Sequence, residues 1–281
     1  AMMAEDIFFP GNELPLPNVS PFEKGDPEVA DIDQRINILF LGLDRYLGEP
    51  DRTAARTDSV FVLTIDPYSK TAGVFSIPRD LLVEIPDGSG GYYTDRVNVV
   101  WETGEFVYDN YDGGGAGLIK DTIKHNFDIP IDNHVILDFE DFIDLIDEVG
   151  GIEVDVPEYV ADYDYTDCNQ CPGTVYEFSP GLQDMDGVTA LAYARIRKGS
   201  NDFKRIERQQ LVIQATAEKA LSLNMFTSPG KAVDLYKKYK DAVETDMNDF
   251  LIPGLAKLAQ QIGTENIRMV SIASATYPCP D

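Results

Sequence analysis

Three stretches decide the fold: Ile36-Asn-Ile-Leu-Phe-Leu-Gly-Leu-Asp44, Ser59-Val-Phe-Val-Leu-Thr-Ile-Asp66 and Thr71-Ala-Gly-Val-Phe-Ser-Ile-Pro-Arg-Asp80. Each is a strand-length run rich in β-branched and aromatic residues, bounded by turn-forming residues. The turn Pro67-Tyr-Ser-Lys70 joins the second run to the third, which is a hairpin signal. If strand two is antiparallel to strand three, and strands one and three are parallel, three chain positions meet. Asp44 follows the first strand, Asp58 precedes the second and Arg79-Asp80 follows the third. All then lie at the carboxyl edge of the sheet, where α/β folds usually bind ligands.

Outward from that core, helical and extended patterns alternate. Gly113–Gly117 leads into a helix over 118–127, and 135–139 reads as a strand. Phe142, Ile143, Ile146 and Val149 sit at i, i+3, i+4 spacing on a helix over 140–149. Gly150-Gly151 stops it, and 152–156 is another strand. An acidic stretch, 157–181, reads as a loop. Residues 188–195 run into an extended segment, followed by a long helix over 203–223. A helix pair (231–242 and 248–261) precedes a last strand, 267–272. Alternation without repeats predicts an α/β fold, three-layer α/β/α, with a central sheet that the hairpin makes mixed. Residues 1–34 carry five prolines, eight acidic residues and one lysine, and read as a linker; 35–281 read as one catalytic domain.

The 281 residues carry 49 Asp+Glu against 23 Lys+Arg, a formal charge of −26. That argues against a general nucleic-acid or anionic-membrane binder, because phosphates attract clustered cations. It leaves room for a local cationic pocket. Of eleven arginines, eight fall in three places: Arg45, Arg52 and Arg56; Arg79; and Arg195, Arg197, Arg205 and Arg208. Arg195 and Arg197 would share a face of an extended segment. Arg205 and Arg208 would share a face near the start of the long helix, with Asn201 or Asp202 as its N-cap. A helix N-terminus with planar guanidinium forks is an anion site for a phosphate. Two carboxylates beside it fit Mg²⁺, which is often held by one or two carboxylates and phosphate oxygens.

In these residues the chain resembles the LytR-CpsA-Psr family over about residues 35–225. The matching segments are Asn37–Asp44, Arg56-Thr-Asp58, Ser76-Ile-Pro-Arg-Asp80, Arg96-Val-Asn98, Asp138-Phe139 with Val149–Pro157, Ala192-Tyr-Ala-Arg-Ile-Arg197 and Asp202–Gln210. The resemblance implies an α/β/α phosphotransferase on the outer face of the cell envelope. It would move a glycopolymer from a polyprenyl pyrophosphate carrier onto peptidoglycan or a comparable wall acceptor, using Mg²⁺. Position by position, Asp44 and Asp58 would hold the metal, with Arg79 beside them in the catalytic set and one Asp serving as base. Arg56, Arg79, Arg195, Arg197, Arg205, Arg208 and Gln209 would bind the pyrophosphate. Asn98 and Asp80 would support them, Asp80 by fixing Arg79. Membrane attachment would come through a segment beyond this sequence. The chain departs from the family in placing Arg45 next to Asp44 and Tyr46 after it, and Lys204 before Arg205. Rival readings are a pyrophosphatase at the same site and a carrier-binding module without catalysis.

Other features carry less. No run approaches the ~20 apolar residues of a membrane span, and the opening Ala1-Met2-Met3-Ala4 reads as a junction, leaving room for a segment ahead of it. Cys168-Asn-Gln-Cys171 has too few partners for structural zinc and no strand–helix setting for a redox pair. It reads as a loop-stapling disulfide of an exported protein, with free thiols as the alternative; Cys279 is unassigned. Residues 138–168 hold twelve acidic and no basic residues but no calcium-loop pattern. His125 and His134 stand outside every cluster. Apolar residues of the long helix, Ile206, Leu211, Val212, Ile213 and Leu221, read first as core and second as the lining of a lipid groove.

Overall fold

The computed structural model describes residues 32–45, 55–166, 173–197, 201–222, 237 and 243–272. Its centre is a six-stranded mixed sheet. The strands are β1 (Ile36–Leu43), β2 (Thr57–Asp66), β3 (Thr71–Ile77), β6 (Asn133–Leu137), β11 (Glu244–Thr245) and β12 (Ile267–Ser271). Their order is β11-β6-β1-β2-β3-β12. β1 and β3 both run antiparallel to β2, so they are parallel to each other, while β6 and β12 extend the sheet as parallel neighbours of β1 and β3. The expected hairpin therefore sits at the middle of the sheet.

Side-chain alternation along these strands builds two cores. Leu39, Leu41, Leu43, Val60, Val62, Phe75 and Ile77 point to one face. Helix α1 (Gly114–Phe127) covers it with Leu118, Ile119 and Ile123, and the helical segment 97–107 adds Val97, Val100 and Trp101. The other face carries Ile36, Ile38, Ile65, Ala72 and Val135, under α5 (Leu251–Ile262) through Leu251, Leu258 and Ile262. Leu39 is fully buried, so its truncation to Ala would cost about 2–5 kcal/mol in lost burial and cavity.

A third core lies beyond the site edge of the sheet. It joins α2 (Phe139–Glu148), α3 (Gly187–Arg195) and α4 (Asp202–Ser222) to two ribbons, β7 (Ile152–Val156) with β10 (Gly181–Met185) and β8 (Val160–Tyr165) with β9 (Thr174–Phe178). A remaining ribbon pairs β4 (Leu82–Pro86) with β5 (Tyr92–Arg96). Local chemistry sets these helix ends. Asp138 and Asp141 form a capping box on α2, and the Asp186 side chain accepts from the Thr189 N–H at the start of α3. Gly150 and Gly151 leave α2 with φ of 78° and 77°, a conformation that favours glycine.

Several expectations are corrected. Arg195, expected on an extended segment with Arg197, is the last residue of helix α3 (Gly187–Arg195), held by its Asp cap and by six buried residues among nine. A run this buried on all sides lacks the polar stripe that marks a surface helix. The acidic stretch 157–181 contains two strands, β8 and β9, whose apolar positions were hidden between charges. Helix 231–242 lies outside the described residues, apart from helical residue 237, as do Cys168, Cys171, Cys279 and the lead-in up to residue 31. Among the described residues no helix is long and apolar enough to cross a membrane.

Candidate active site

The register of β1, β2 and β3 brings the predicted residues to one edge. Gly42 opposes Ser59, and a Cβ at Gly42 would stand 3.0 Å from the Ser59 Cβ, so the strands close tightly there. The Asp44 N–H donates to the Arg56 carbonyl at 2.8 Å, which ties the end of β1 to the start of β2. Arg79, two residues past β3, donates through Nη1 to Asp58 Oδ1 at 2.5 Å. The Asn98 N–H donates to the Arg79 carbonyl at 3.1 Å, and the Asn98 carbonyl accepts from Thr57 Oγ1. Asn98 is thus a buried backbone clamp between β2 and Arg79. Asp80 pairs with Arg79 Nε and Arg96 Nη1, both at 3.5 Å, an ion-pair contact and not the expected hydrogen bond to Arg79.

The helical side meets this edge from α3 and α4. Arg195 ends α3 and donates through Nη2 to Asp44 Oδ1 at 3.1 Å. Its guanidinium lies over the Phe139 ring at 3.8 Å and also donates to the Tyr165 hydroxyl at 3.0 Å. Arg205, only 2% exposed, donates to the Asp58 carbonyl at 3.2 Å and pairs with Asp58 Oδ2 at 3.6 Å and Asp202 Oδ1 at 2.8 Å. Gln209 Nε2 donates to Ser59 Oγ at 2.9 Å. The N-cap of α4 is Asn201, whose side chain accepts from the Lys204 N–H, and this leaves Asp202 for Arg205.

Electrostatics separates the members. Burial pushes the Asp44 carboxyl above its ordinary value, the Asp58 charge adds to this, and Arg195 only partly offsets it. Burial pulls Arg79 down, but the Asp58 charge and hydrogen bond outweigh it and hold the guanidinium above its usual value. Burial lowers Arg205, with Asp202 and Asp58 opposing the fall. Three guanidiniums thus face three carboxylates: Arg195 on Asp44, Arg79 on Asp58 and Arg205 on Asp202 and Asp58. Arg197 is exposed and near enough for its charge to lower Asp44.

Two expected ligands stand elsewhere. Arg56 is exposed and contributes its carbonyl to the β1–β2 junction. Arg208 is buried, with Nε donating to the Tyr193 carbonyl at 3.0 Å and Nη2 donating to the Ile196 carbonyl. Its guanidinium therefore holds the α3 end that carries Arg195, instead of lining the pocket. The reason is helical phase: Arg205, Arg208, Val212 and Ala215 form one buried stripe, and its second member falls beneath α3. Arg45 turns away to Asp138 at 3.4 Å. Sequence reasoning missed Asp202, Ser59, Tyr165 and Phe139 as site members. Only Asp202 had a signal, its i,i+3 spacing to Arg205.

Mg²⁺ is tested against the donor set. Asp44 and Asp58 converge closely enough that the charge of one raises the other, and two such carboxylates suit a hard cation completed by phosphate oxygens. The residues therefore fit, as a pair: among the described residues no group of three or more His, Cys, Asp or Glu is placed to hold a metal.

Residues 18–277 match the model of the LytR_cpsA_psr family. The polyisoprenyl-teichoic acid–peptidoglycan teichoic acid transferase TagV of Bacillus subtilis is 34% identical over 82% of this chain and 54% of its own length. The corresponding TagU of Bacillus licheniformis is 31% identical over 82% of this chain and 66% of its own length. The chain thus spans between half and two thirds of these relatives. The crystal structure of Bacillus subtilis TagV aligns with a TM-score of 0.66 at 28% identity, covering 85% of both chains.

Proposed function

The chain belongs to the LytR-CpsA-Psr family, and from that premise we propose that it is a phosphotransferase at the outer face of the cytoplasmic membrane, where the cell wall is built. It moves a glycopolymer from a polyprenyl pyrophosphate carrier onto peptidoglycan or a similar wall acceptor. The observation that carries this reading is the convergence of Arg79, Arg195 and Arg205 on Asp44 and Asp58 at one sheet edge. Supporting it, the curated relatives TagV and TagU are named as teichoic acid transferases that use a polyisoprenyl-linked donor and peptidoglycan.

Phosphoryl transfer requires positioning and charge neutralisation above all. Arg79, Arg195, Arg197 and Arg205 bind the pyrophosphate, and Gln209, anchored on Ser59, orients beside them. Arg208 and Asn98 act one step back, through the backbone of α3 and of Arg79. An acceptor hydroxyl oxygen attacks the phosphorus that bears the sugar. The bridging P–O bond to the other phosphorus breaks, and polyprenyl monophosphate leaves. The hydroxyl proton passes to a carboxylate of the Asp pair. Asp44 suits this best, because burial and Asp58 raise its basicity. Asp44 and Asp58 would also hold Mg²⁺, which when bound supplies further neutralisation of phosphate charge.

The carrier lipid needs an apolar path. Ile206 and Val212 are core residues of α4, and Leu211 packs against the same core. The sheet offers a better candidate. Half-buried Phe40 and Phe61 stack at 4.9 Å, with half-buried Leu63 and Leu137 on the same sheet face. Ser59, which holds Gln209, shares that face of β2 by alternation. This band leads away from the charged edge between α4 and α5.

The test is release of polyprenyl phosphate from a lipid-pyrophosphate donor. Arg79→Ala and Asp58→Ala should each lower turnover by about 10²–10³-fold, the usual cost of removing a charge-stabilising group. Undiminished turnover in both would sink the reading.

A further inference from the structure

We propose that the outward face of the β8–β9 ribbon is a saccharide-binding surface that holds the uncharged glycan of the acceptor. This rests on the reading of the adjacent site as a transferase.

The ribbon has two unlike faces. Inward, Val160, Tyr165 and Phe178 are core residues, with Tyr176 packed against them. Outward, Tyr159 is 53% exposed, Tyr163 63% and Val175 55%. A single exposed tyrosine is ordinary. Here two are locked around one carboxylate. The Tyr159 hydroxyl donates to Glu177 Oε1 at 2.6 Å, the Tyr163 hydroxyl donates to the same oxygen at 3.1 Å, and the hydroxyls are 3.1 Å apart. Each hydroxyl spends its hydrogen on Glu177, so the rings are fixed with their surfaces toward solvent.

That arrangement matches one ligand chemistry. A pyranose has an apolar C–H face, which packs on an aromatic ring, and a rim of hydroxyls, which donate to a carboxylate. The surface is also continuous with the chemistry. Tyr165, on the ribbon's inner face, accepts from Arg195. Glu158, beside Tyr159, pairs with Lys204 Nζ at 3.2 Å, which pins the ribbon to the first turn of α4. Phe203 lies in that same turn, 49% exposed, between Asp202 and Lys204. Aromatic surface thus flanks the carboxylate–guanidinium cluster.

Charge chooses between the two saccharides of the reaction. Residues 138–168, which include Tyr159 and Tyr163, hold twelve acidic and no basic residues. A phosphodiester-linked glycopolymer would be repelled by that field, while an uncharged N-acetylhexosamine chain would not.

The experiment uses the full chain, a neutral N-acetylglucosamine tetrasaccharide as acceptor probe, an anionic phosphodiester glycopolymer as competitor and a lipid-pyrophosphate donor. Tyr159→Ala/Tyr163→Ala should raise the Kd and the KM for the tetrasaccharide by about tenfold or more, as loss of exposed aromatic anchors does elsewhere. Donor KM, kcat and melting temperature should not change. Glu177→Gln should weaken tetrasaccharide binding less. Arg79→Ala should bind the tetrasaccharide normally while failing to turn over, so failure of this site and failure of the transferase reading are separable. An unchanged tetrasaccharide Kd in both ribbon variants overturns the proposal. So does preferential binding of the anionic polymer, or no binding of the tetrasaccharide by the wild-type chain.

Discussion

The two halves of the candidate active site are built by different means. On the sheet side, Asp44, Asp58 and Arg79 are placed by strand register, and backbone hydrogen bonds from Asp44 to Arg56 and from Asn98 to Arg79 hold the strand ends. On the helical side, Arg195, Arg205 and Gln209 reach the same point from a different core, and side-chain contacts span the gap. The sheet half is therefore fixed by the fold, and its side chains are free to be spent on chemistry. In the helical half, chemistry and stability share the same guanidiniums.

The largest test of that contrast pairs Arg205→Ala with Arg79→Ala. Arg205 is 2% exposed and faces Asp58 and Asp202, so its removal takes a buried cation from both and leaves Asp202 without its guanidinium, while Arg79 still faces Asp58. The expected cost is about 3–5 kcal/mol of folding stability, as for other broken buried ion pairs. The Arg79 side chain is 16% exposed, and its backbone is held by Asn98. Its loss should cost roughly 1–2 kcal/mol, with activity falling far more than stability. Urea unfolding of both variants measures this. Equal destabilisation would erase the distinction between the halves.

Next in size is Arg208→Ala. Two charge-assisted bonds to the Tyr193 and Ile196 carbonyls disappear, which should cost about 2–4 kcal/mol. Arg208 sits three residues from Arg205, in the same sequence motif, yet in the proposed reading it acts on the donor through α3. The variant should therefore keep donor affinity at low temperature and lose it as α3 loosens on warming. A donor KM raised tenfold at low temperature, with stability unchanged, would put Arg208 back in the pocket.

These two arginines also show what the sequence could and could not disclose. Strand alternation and hairpin logic placed Asp44, Asp58, Arg79 and Asp80 correctly, because a period of two and a known turn leave little freedom. The same reasoning put Arg195 on an extended segment, since an all-round buried helix such as Ala190–Ala194 has no amphipathic stripe to read. It also treated β8 and β9 as loop, because acidic residues, buried Asp162 among them, interrupt the apolar alternation of two short strands. Arg205 and Arg208 share a helix face, but which part of that face meets the sheet depends on how α4 crosses α3. That crossing is a tertiary fact with no local signature. Tyr165 and Phe139 met Arg195 by the same route.

The smallest expected effect is the most direct probe of how the halves balance. Asp44 has its folded-state pKa raised, with burial and Asp58 outweighing Arg195. Its contribution to stability is therefore present below the ordinary carboxylate pKa of about 3.9 and is lost as pH rises through the raised folded value. At neutral pH the ionised carboxylate opposes folding. Asp44→Asn should then raise stability at neutral pH, by no more than about 1 kcal/mol given the partial exposure of the site, and make no difference below the ordinary carboxylate pKa. Millimolar Mg²⁺ should stabilise the wild-type chain by binding the folded state, and stabilise Asp44→Asn less. Thermal melts across pH, with and without Mg²⁺, read both effects. A variant less stable than wild type at pH 7 would mean that the Arg195 pair outweighs desolvation. The carboxylate edge would then be held by the helical half, and the sheet would no longer be sufficient to place it.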